Sequence, residues 1–279
     1  MRATTDSLVL RALTREQFDD ISALRKRRER QNASATLLEG ERLVEDALRN
    51  GAAVRMLIVR DDEIEPHAAL LHRAARLHVP LFVTSAKKFA RLADTEHPQG
   101  IAAVADIPRM DAEAALMAVP AHIPVVALHE VSDPGNLGTI IRSMDWFGAP
   151  LLLLSRGSVD AWNAKVVRAS MGSIFRVNIA IYEQTEQLQR LAADAGRVLT
   201  VTVPEGGTAD IASLLRTPLL LLFGSEAHGL PPALIDAAGH RVSIPRRGGA
   251  ESLNLAMAHA ILMYALDTAA HSLNPDMKA

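Results

Sequence analysis

The chain has 279 residues, 49% apolar, with no cysteine and a formal net charge of −2. Missing thiols exclude disulfides, cysteine-ligated zinc and a thiol nucleophile, and they fit a reducing cytoplasm. The apolar runs are strand-sized, so no segment is long enough to span a bilayer, and the charge balance leaves only local patches for any polyanion.

The basic run Leu24–Arg30 (LRKRRER) comes first. Leu43, Val44, Ala47 and Leu48 stand at helical spacing within Leu38–Asn50, which predicts a helix stopped by Gly51. Strands are expected at Met56–Val59, Pro80–Val83 and Ile101–Ala105, and helices at Ala68–Leu77 and Lys87–Leu92. The alternation predicts a small α/β sandwich over residues 1–108. Pro108 and Pro120 flank an Ala-rich stretch, so residues 109–122 read as a link.

Residues 123–279 alternate more clearly. Strands are expected at Val125–His129, Leu151–Leu154, Phe175–Ala180, Val198–Val203, Leu219–Phe223 and Val242–Ile244. Helices are expected at Asn136–Phe147, Trp162–Ala169, Thr185–Ala193, Pro232–Ala237 and Leu253–Ala269. Apolar strands with helical crossovers predict a parallel sheet covered on both faces.

Three loops in this half carry chemistry. The string from Asp133 to Arg142 (DPGNLGTIIR) follows the first strand and opens a helix. Its N–H groups and positive dipole end suit an anion or a ribose phosphate. Asn136 can sit in the loop, with Arg142 pointing back from the second turn; taken alone, the string is more simply an Asn cap, a Pro-Gly turn and a surface arginine. The string from Phe223 to Pro231 (FGSEAHGLP) leaves the most apolar strand at the end where open α/β sheets place ligands. There Gly224 permits close backbone approach, Gly229 a sharp turn, and Glu226 a bidentate grip on a guanidinium. A Gly-rich turn with a solvated carboxylate is the plain alternative. In the third loop, from Ile244 to Asn254 (IPRRGGAESLN), Ser252 reads as an N-cap. Asn254 falls in the first helical turn against its propensity, which marks it as a functional candidate. Arg246 and Arg247 can hold RNA phosphates, although a solvated basic loop fits as well.

In this order, N-x-G-x-I-x-R, G-x-E-x-x-G-L and I-P-x-x-G-x-x-x-S-L-N resemble the three signature motifs of the SpoU (TrmH-like) RNA 2′-O-ribose methyltransferases of the SPOUT superfamily. The likeness runs from about Pro124 to Leu266. The N-terminal half more loosely resembles that family's L30e-like substrate-binding domain, through the RKRRER run, the stretch from Leu38 to Leu48 and His97-Pro-Gln-Gly-Ile.

The resemblance implies an α/β fold whose C-terminal parallel-sheet domain carries a deep trefoil knot, preceded by a small L30e-like α/β domain. It implies S-adenosylmethionine as methyl donor, lined by Gly224, Ile244 and Leu253, and no metal. It implies a homodimer, for which Ala256, Met257, Ala260, Ile261 and Tyr264 offer an apolar face. Arg142 would activate the ribose hydroxyl. A guanidinium stays protonated and accepts nothing, so stabilising the developing alkoxide or clamping the neighbouring phosphate suits it better. Asn136 would orient Arg142 or the ribose, Glu226 would hold the arginine network, and Ser252 and Asn254 would shape the site. Arg25, Lys26, Arg27, Arg28 and Arg30 would contact RNA phosphates, ribosomal RNA being favoured over transfer RNA by analogy. Arg246 and Met144 depart from the family pattern, at positions where Met and a small residue are common. A non-catalytic RNA-binding relative is the rival reading. A dinucleotide-binding enzyme is disfavoured, because no G-x-G-x-x-G follows a first strand.

Overall fold

A computed structural model describes residues 8–273. The chain forms two compact units, one running as far as Pro108 and including Trp162–Phe175, the other comprising Arg109–Ala161 and the chain from Arg176 onward.

The first unit contains β1 (Leu10–Ala12), α1 (Arg15–Ala23), α2 (Arg27–Ala33), β2 (Ala35–Glu39), α3 (Glu41–Arg49), β3 (Val54–Arg60), α4 (Ala68–Arg76), β4 (Leu81–Thr84), α5 (Ala86–Leu92) and β5 (Ile101–Asp106). Its sheet order is β1-β4-β3-β5-β2, with β5 antiparallel to both neighbours. Thr14 and Gln17 form a reciprocal capping box that starts α1. On one sheet face Ile58, Phe82, Ala102 and Val104 pack with Phe18, Ile21, Phe89 and Leu92 of α1 and α5. Alternate residues point to the other face. There α3 packs on β5 and α4 on β4.

The helix expected over Leu38–Asn50 is instead the end of β2 followed by α3. Gly40 divides them at φ +99°, where only glycine is unstrained. A Cβ there would lie 2.9 Å from Gln99 Oε1, which accepts the Glu41 N–H at 2.9 Å. The Glu39 carboxylate accepts the Asp94 N–H at 2.8 Å. Two strings that looked like separate motifs are thus one packed junction.

In the second unit α6 (Ala112–Ala118), β6 (Val125–Leu128), α7 (Pro134–Trp146) and β7 (Leu151–Ser155) come first. The chain then enters the first unit, where it forms α8 (Ala164–Ala169), and returns as β8 (Asn178–Tyr182), α9 (Thr185–Asp194), β9 (Val198–Thr202), α10 (Ile211–Leu214), β10 (Leu219–Phe223), α11 (Pro232–Asp236), β11 (His240–Val242) and α12 (Leu255–Leu273). All six strands are parallel, in the order β11-β9-β10-β6-β7-β8. Every residue of β6, β7 and β10 is buried, as both-face coverage requires.

Several boundaries differ from expectation. The stretch read as a link holds α6, whose Ala112 and Leu116 are buried in the same core as Leu188 and Leu191. Buried Arg197 then fixes the run into β6, donating to the carbonyls of Val119, Pro120 and Ile123. The strand expected at Phe175–Ala180 begins only at Asn178, because Ser173–Phe175 makes a 3₁₀ turn. Among the described residues no helix is long and apolar enough to cross a membrane.

The α8 segment is apolar in its own right. Trp162, Val166, Val167 and Ile174 are buried, α8 packs on β2, and the Thr36 hydroxyl donates to the Trp162 carbonyl at 3.2 Å. A fragment of residues 109–279 would leave those four side chains without β2. We expect it to melt well below the full chain and to bind a hydrophobic dye, measured by thermal unfolding and dye fluorescence. A fragment melting at the full chain's temperature without dye binding would show that α8 does not depend on the first unit.

Candidate active site

In a parallel sheet wound both ways, ligands collect beyond the strands' C-terminal ends, where the winding reverses. Here the chain winds from β6 to β7 and β8 on one side, while β10 and β9 lie on the other. The loops after β6 and β10 therefore leave side by side, and the His129 N–H still bonds the Phe223 carbonyl at 2.9 Å.

The β10 loop is a closed ring. Ser225 and Gly229 exchange both backbone hydrogen bonds, at 3.0 and 2.9 Å. Gly229 sits at φ +67°, and a Cβ on Gly224 would lie 2.4 Å from the Gly229 carbonyl carbon. Gly224 is thus required first by its own loop. That ring holds Glu226 out over the neighbouring β6 loop. Its carboxylate accepts the Ser132 N–H at 3.1 Å, the Asp133 N–H at 3.4 Å and the Asn136 side-chain amide at 3.0 Å. Burial pushes its pKa up, but the bonds from the Asn136 amide and the backbone N–H groups outweigh this, leaving it below the ordinary value.

Asn136 lies inside α7, not in the loop. Asp133 is the N-cap, accepting the Asn136 N–H at 2.7 Å, and Pro134 opens the helix. The β6 loop is itself clamped from β7 and its following turn, by Ser155 Oγ on the Glu130 N–H at 2.8 Å and Ser158 Oγ on the Val131 N–H at 3.1 Å.

The third loop joins through Asn254. Its side chain donates to Asn136 Oδ1 at 2.8 Å and accepts the Ala256 and Met257 N–H groups at 2.9 and 3.2 Å. Asn254 is therefore the cap of α12, and Ser252, expected in that role, is exposed and makes no hydrogen bond with a described residue. The propensity argument pointed to Asn254 by the wrong route, since a cap position suits asparagine.

The structure unites Glu226, Asn136 and Asn254. Arg142 stands on α7, exposed, with no hydrogen bond or ion pair to a described residue. Glu226 consequently does not hold an arginine network; backbone N–H groups and an amide take the place expected of guanidinium. Ile244 lies beyond β11, which ends at Val242, and is half-buried, while Leu253 is 47% exposed. From Ile244 to Leu253 the backbone N–H groups donate to no described residue, so an apolar pair flanks an accessible backbone. Those features fit an adenosine held by its face and by main-chain bonds. Arg246 is tied to Glu205 and to the Ala250 carbonyl, whereas Arg247 is exposed. In the first unit Arg25, Lys26, Arg27 and Arg28 are exposed. Arg30 is 4% exposed, so it is no phosphate contact; it donates to the Leu24 and Arg25 carbonyls, both at 2.8 Å.

Sequence reasoning missed His259 on α12, a lone histidine at a helical core spacing. It is fully buried, its Nδ1 lies 3.0 Å from Ser143 Oγ, and its ring packs on Phe223 at 5.2 Å between centroids. One residue thus ties α12 to the helix carrying Arg142 and to the strand entering the Glu226 loop.

Residues 124–264 match the SpoU rRNA Methylase family, and residues 16–103 match the MRM3-like substrate binding domain. The chain belongs to the SpoU rRNA Methylase family. It is 30% identical over 251 residues to the 23S rRNA (guanosine(2553)-2′-O)-methyltransferase RlmP of Bacillus subtilis, covering 90% of this chain and 96% of that one. The AdoMet-bound rRNA methyltransferase from Sinorhizobium meliloti superposes with a TM-score of 0.79 at 30% identity, over 95% of this chain and 97% of that one. The SpoU methyltransferase AviRb from Streptomyces viridochromogenes, in complex with AdoMet, gives 0.81 at 28% identity, over 94% and 99%.

Burial lowers the His259 pKa from 6.5 to about 3. The folded form therefore keeps its full advantage above pH 6.5 and loses it as the unfolded histidine takes up a proton below that. We expect this residue to remove about 2 kcal/mol of stability between pH 7 and pH 5. Urea unfolding of wild type and His259→Leu at both pH values measures it; equal slopes against pH would contradict a neutral buried imidazole.

Proposed function

We propose that this protein transfers a methyl group from S-adenosylmethionine to a ribose 2′-hydroxyl of large-subunit ribosomal RNA, in the cytoplasm. The observation that carries the reading is the convergence of Glu226, Asn136 and Asn254, drawn from three distant segments, at the start of the helix that bears Arg142. Family membership and the AdoMet-bound neighbours support the donor, and the names of relatives support ribosomal RNA.

The donor supplies an electrophilic methyl carbon. The ribose oxygen would form the new bond to that carbon as the carbon–sulfur bond breaks, leaving the demethylated thioether, and the hydroxyl proton would pass to water. The residues supply position and charge. Glu226 fixes the start of α7 by holding two loop N–H groups and the Asn136 amide. Asn136 passes that constraint to Asn254, which fixes the start of α12. Arg142 then projects from a helix whose N-terminal end is rigidly held. Its permanent charge stabilises the oxygen as negative charge develops, or grips the adjacent phosphate. Gly224, Ile244 and Leu253 would line the donor, and Ser252 would shape the site. The C-terminal passage through β11 and α12 is read as the knotted one, consistent with α12 packing back on α7.

Replacing Arg142 with alanine is expected to reduce methyl transfer from labelled donor to total RNA by about 10²-fold or more. Donor affinity, measured by calorimetry, should stay close to wild type. Turnover at the wild-type rate would remove Arg142 from the chemistry, and a wild-type chain that binds donor but methylates no RNA would favour the non-catalytic reading.

The family's homodimer is also proposed. Met257, Ile261 and Tyr264 are 62%, 44% and 62% exposed along one face of α12, and Trp146 at the end of α7 is 84% exposed. Ala256, counted in that face from sequence, is buried. Large apolar groups left exposed on two helices that pack on each other suit a subunit contact. Ile261→Asp should shift the sedimentation of the protein from dimer to monomer; a variant dimer as tight as wild type would place the interface elsewhere.

A further inference from the structure

We propose that the RNA-binding surface of the first unit is a composite one, made by the outer face of α5 together with the turn from Arg25 to Arg28. The proposal rests on the RNA reading above and deepens it.

The two parts are some sixty residues apart in sequence, and packing joins them. The Arg25 guanidinium donates to the carbonyl of Ala93, the residue that ends α5. The Arg91 guanidinium of α5 lies 5.0 Å over the ring of Phe18 on α1. Phe18, Leu24, Phe89, Leu92 and Ala93 share one core beneath. Buried Arg30 closes the turn by bonding the Leu24 and Arg25 carbonyls, so the last basic residue of the run shapes the surface without belonging to it.

Lys26, Arg28, Lys87 and Lys88 are all exposed, and none pairs with an acid among the described residues. Neither α5 nor the turn contains an acidic residue. Of the acids on adjoining elements, Asp19 pairs with Arg15 and Asp94 with Arg168; Glu16, Asp20 and Glu29 are the others on α1 and α2. The track thus runs from Lys87 and Lys88 through Arg91 and Arg25 to Lys26 and Arg28. A seven-residue helix alone spans about 10 Å, so the whole suits several successive phosphates.

Charge is also segregated. The first unit holds 19 lysines and arginines against 16 acidic residues, and the second 11 against 16. The total of −2 hides a cationic unit. With Phe18 and Phe89 buried in the core, the surface has no exposed aromatic with which to stack bases, so it recognises backbone.

The test is filter binding of protein-free large-subunit ribosomal RNA to the full-length protein over a salt series. Lys87→Ala/Lys88→Ala is expected to weaken binding several-fold and to flatten the log–log salt slope by about 1 to 2. Lys26→Ala/Arg28→Ala should do the same from the other end of the track. Arg49→Ala/Arg76→Ala, on the helices of the opposite sheet face, should change neither. Donor binding by each variant reports folding. Unchanged slopes in both track variants, or an equal loss in the control, would overturn the composite surface while leaving the RNA reading intact. Wild-type protein that binds this RNA without salt dependence, or not at all, would instead count against the RNA reading beneath it.

Discussion

The carboxylate of Glu226 is the constraint from which the rest of the site follows. Helix starts leave N–H groups without internal partners, and a loop beside one must satisfy them or leave them to water. Glu226 meets the N–H groups of Ser132 and Asp133 and the Asn136 amide with one side chain. It does so from a different strand, so the register of β10 against β6 and the direction of α7 are fixed together. Asn136 has one amide oxygen to spare, and Asn254 uses it. The carboxylate expected to hold an arginine network instead clamps the β6 loop to the start of α7.

That clamp explains why Arg142 can stand exposed and unpaired among the described residues. An arginine held in an ion pair would have its charge partly cancelled before substrate arrived. Here its position comes from the backbone of α7, secured at one end by Glu226 and along its flank by the Ser143–His259 bond. The fixing is done by the Glu226 carboxylate and the buried His259, neither of which hydrogen-bonds Arg142. The neutral His259 contributes packing and one hydrogen bond without adding a second cation beside the first.

The first unit follows the opposite logic. Its motif-like strings, Glu39-Gly40 and Pro98-Gln99-Gly100, are spent on one another. Arginines there also serve as struts: Arg30 and Arg25 both bond carbonyls. With buried Arg30 set aside, the exposed cations proposed as one track have a second half, on α5, that no inspection of the basic run would include.

Much of this was legible along the chain. Apolar runs such as Leu219–Phe223 announce buried parallel strands, because a strand covered on both faces needs no polar alternation. The order and spacing of the three loop motifs pointed to the family and to Asn136, Glu226 and Asn254. Helix ends were less legible. The true cap of α12 was passed over for Ser252, and the β2–α3 break was hidden by an unbroken helical pattern, since local periodicity does not register a glycine at positive φ. Burial of Arg30, the strut role of Arg197, the place of His259 and the docking of α8 on β2 were decided by tertiary structure alone. Each depends on which distant carbonyl, hydroxyl or strand arrives beside a side chain, and residue order encodes that only through the completed fold.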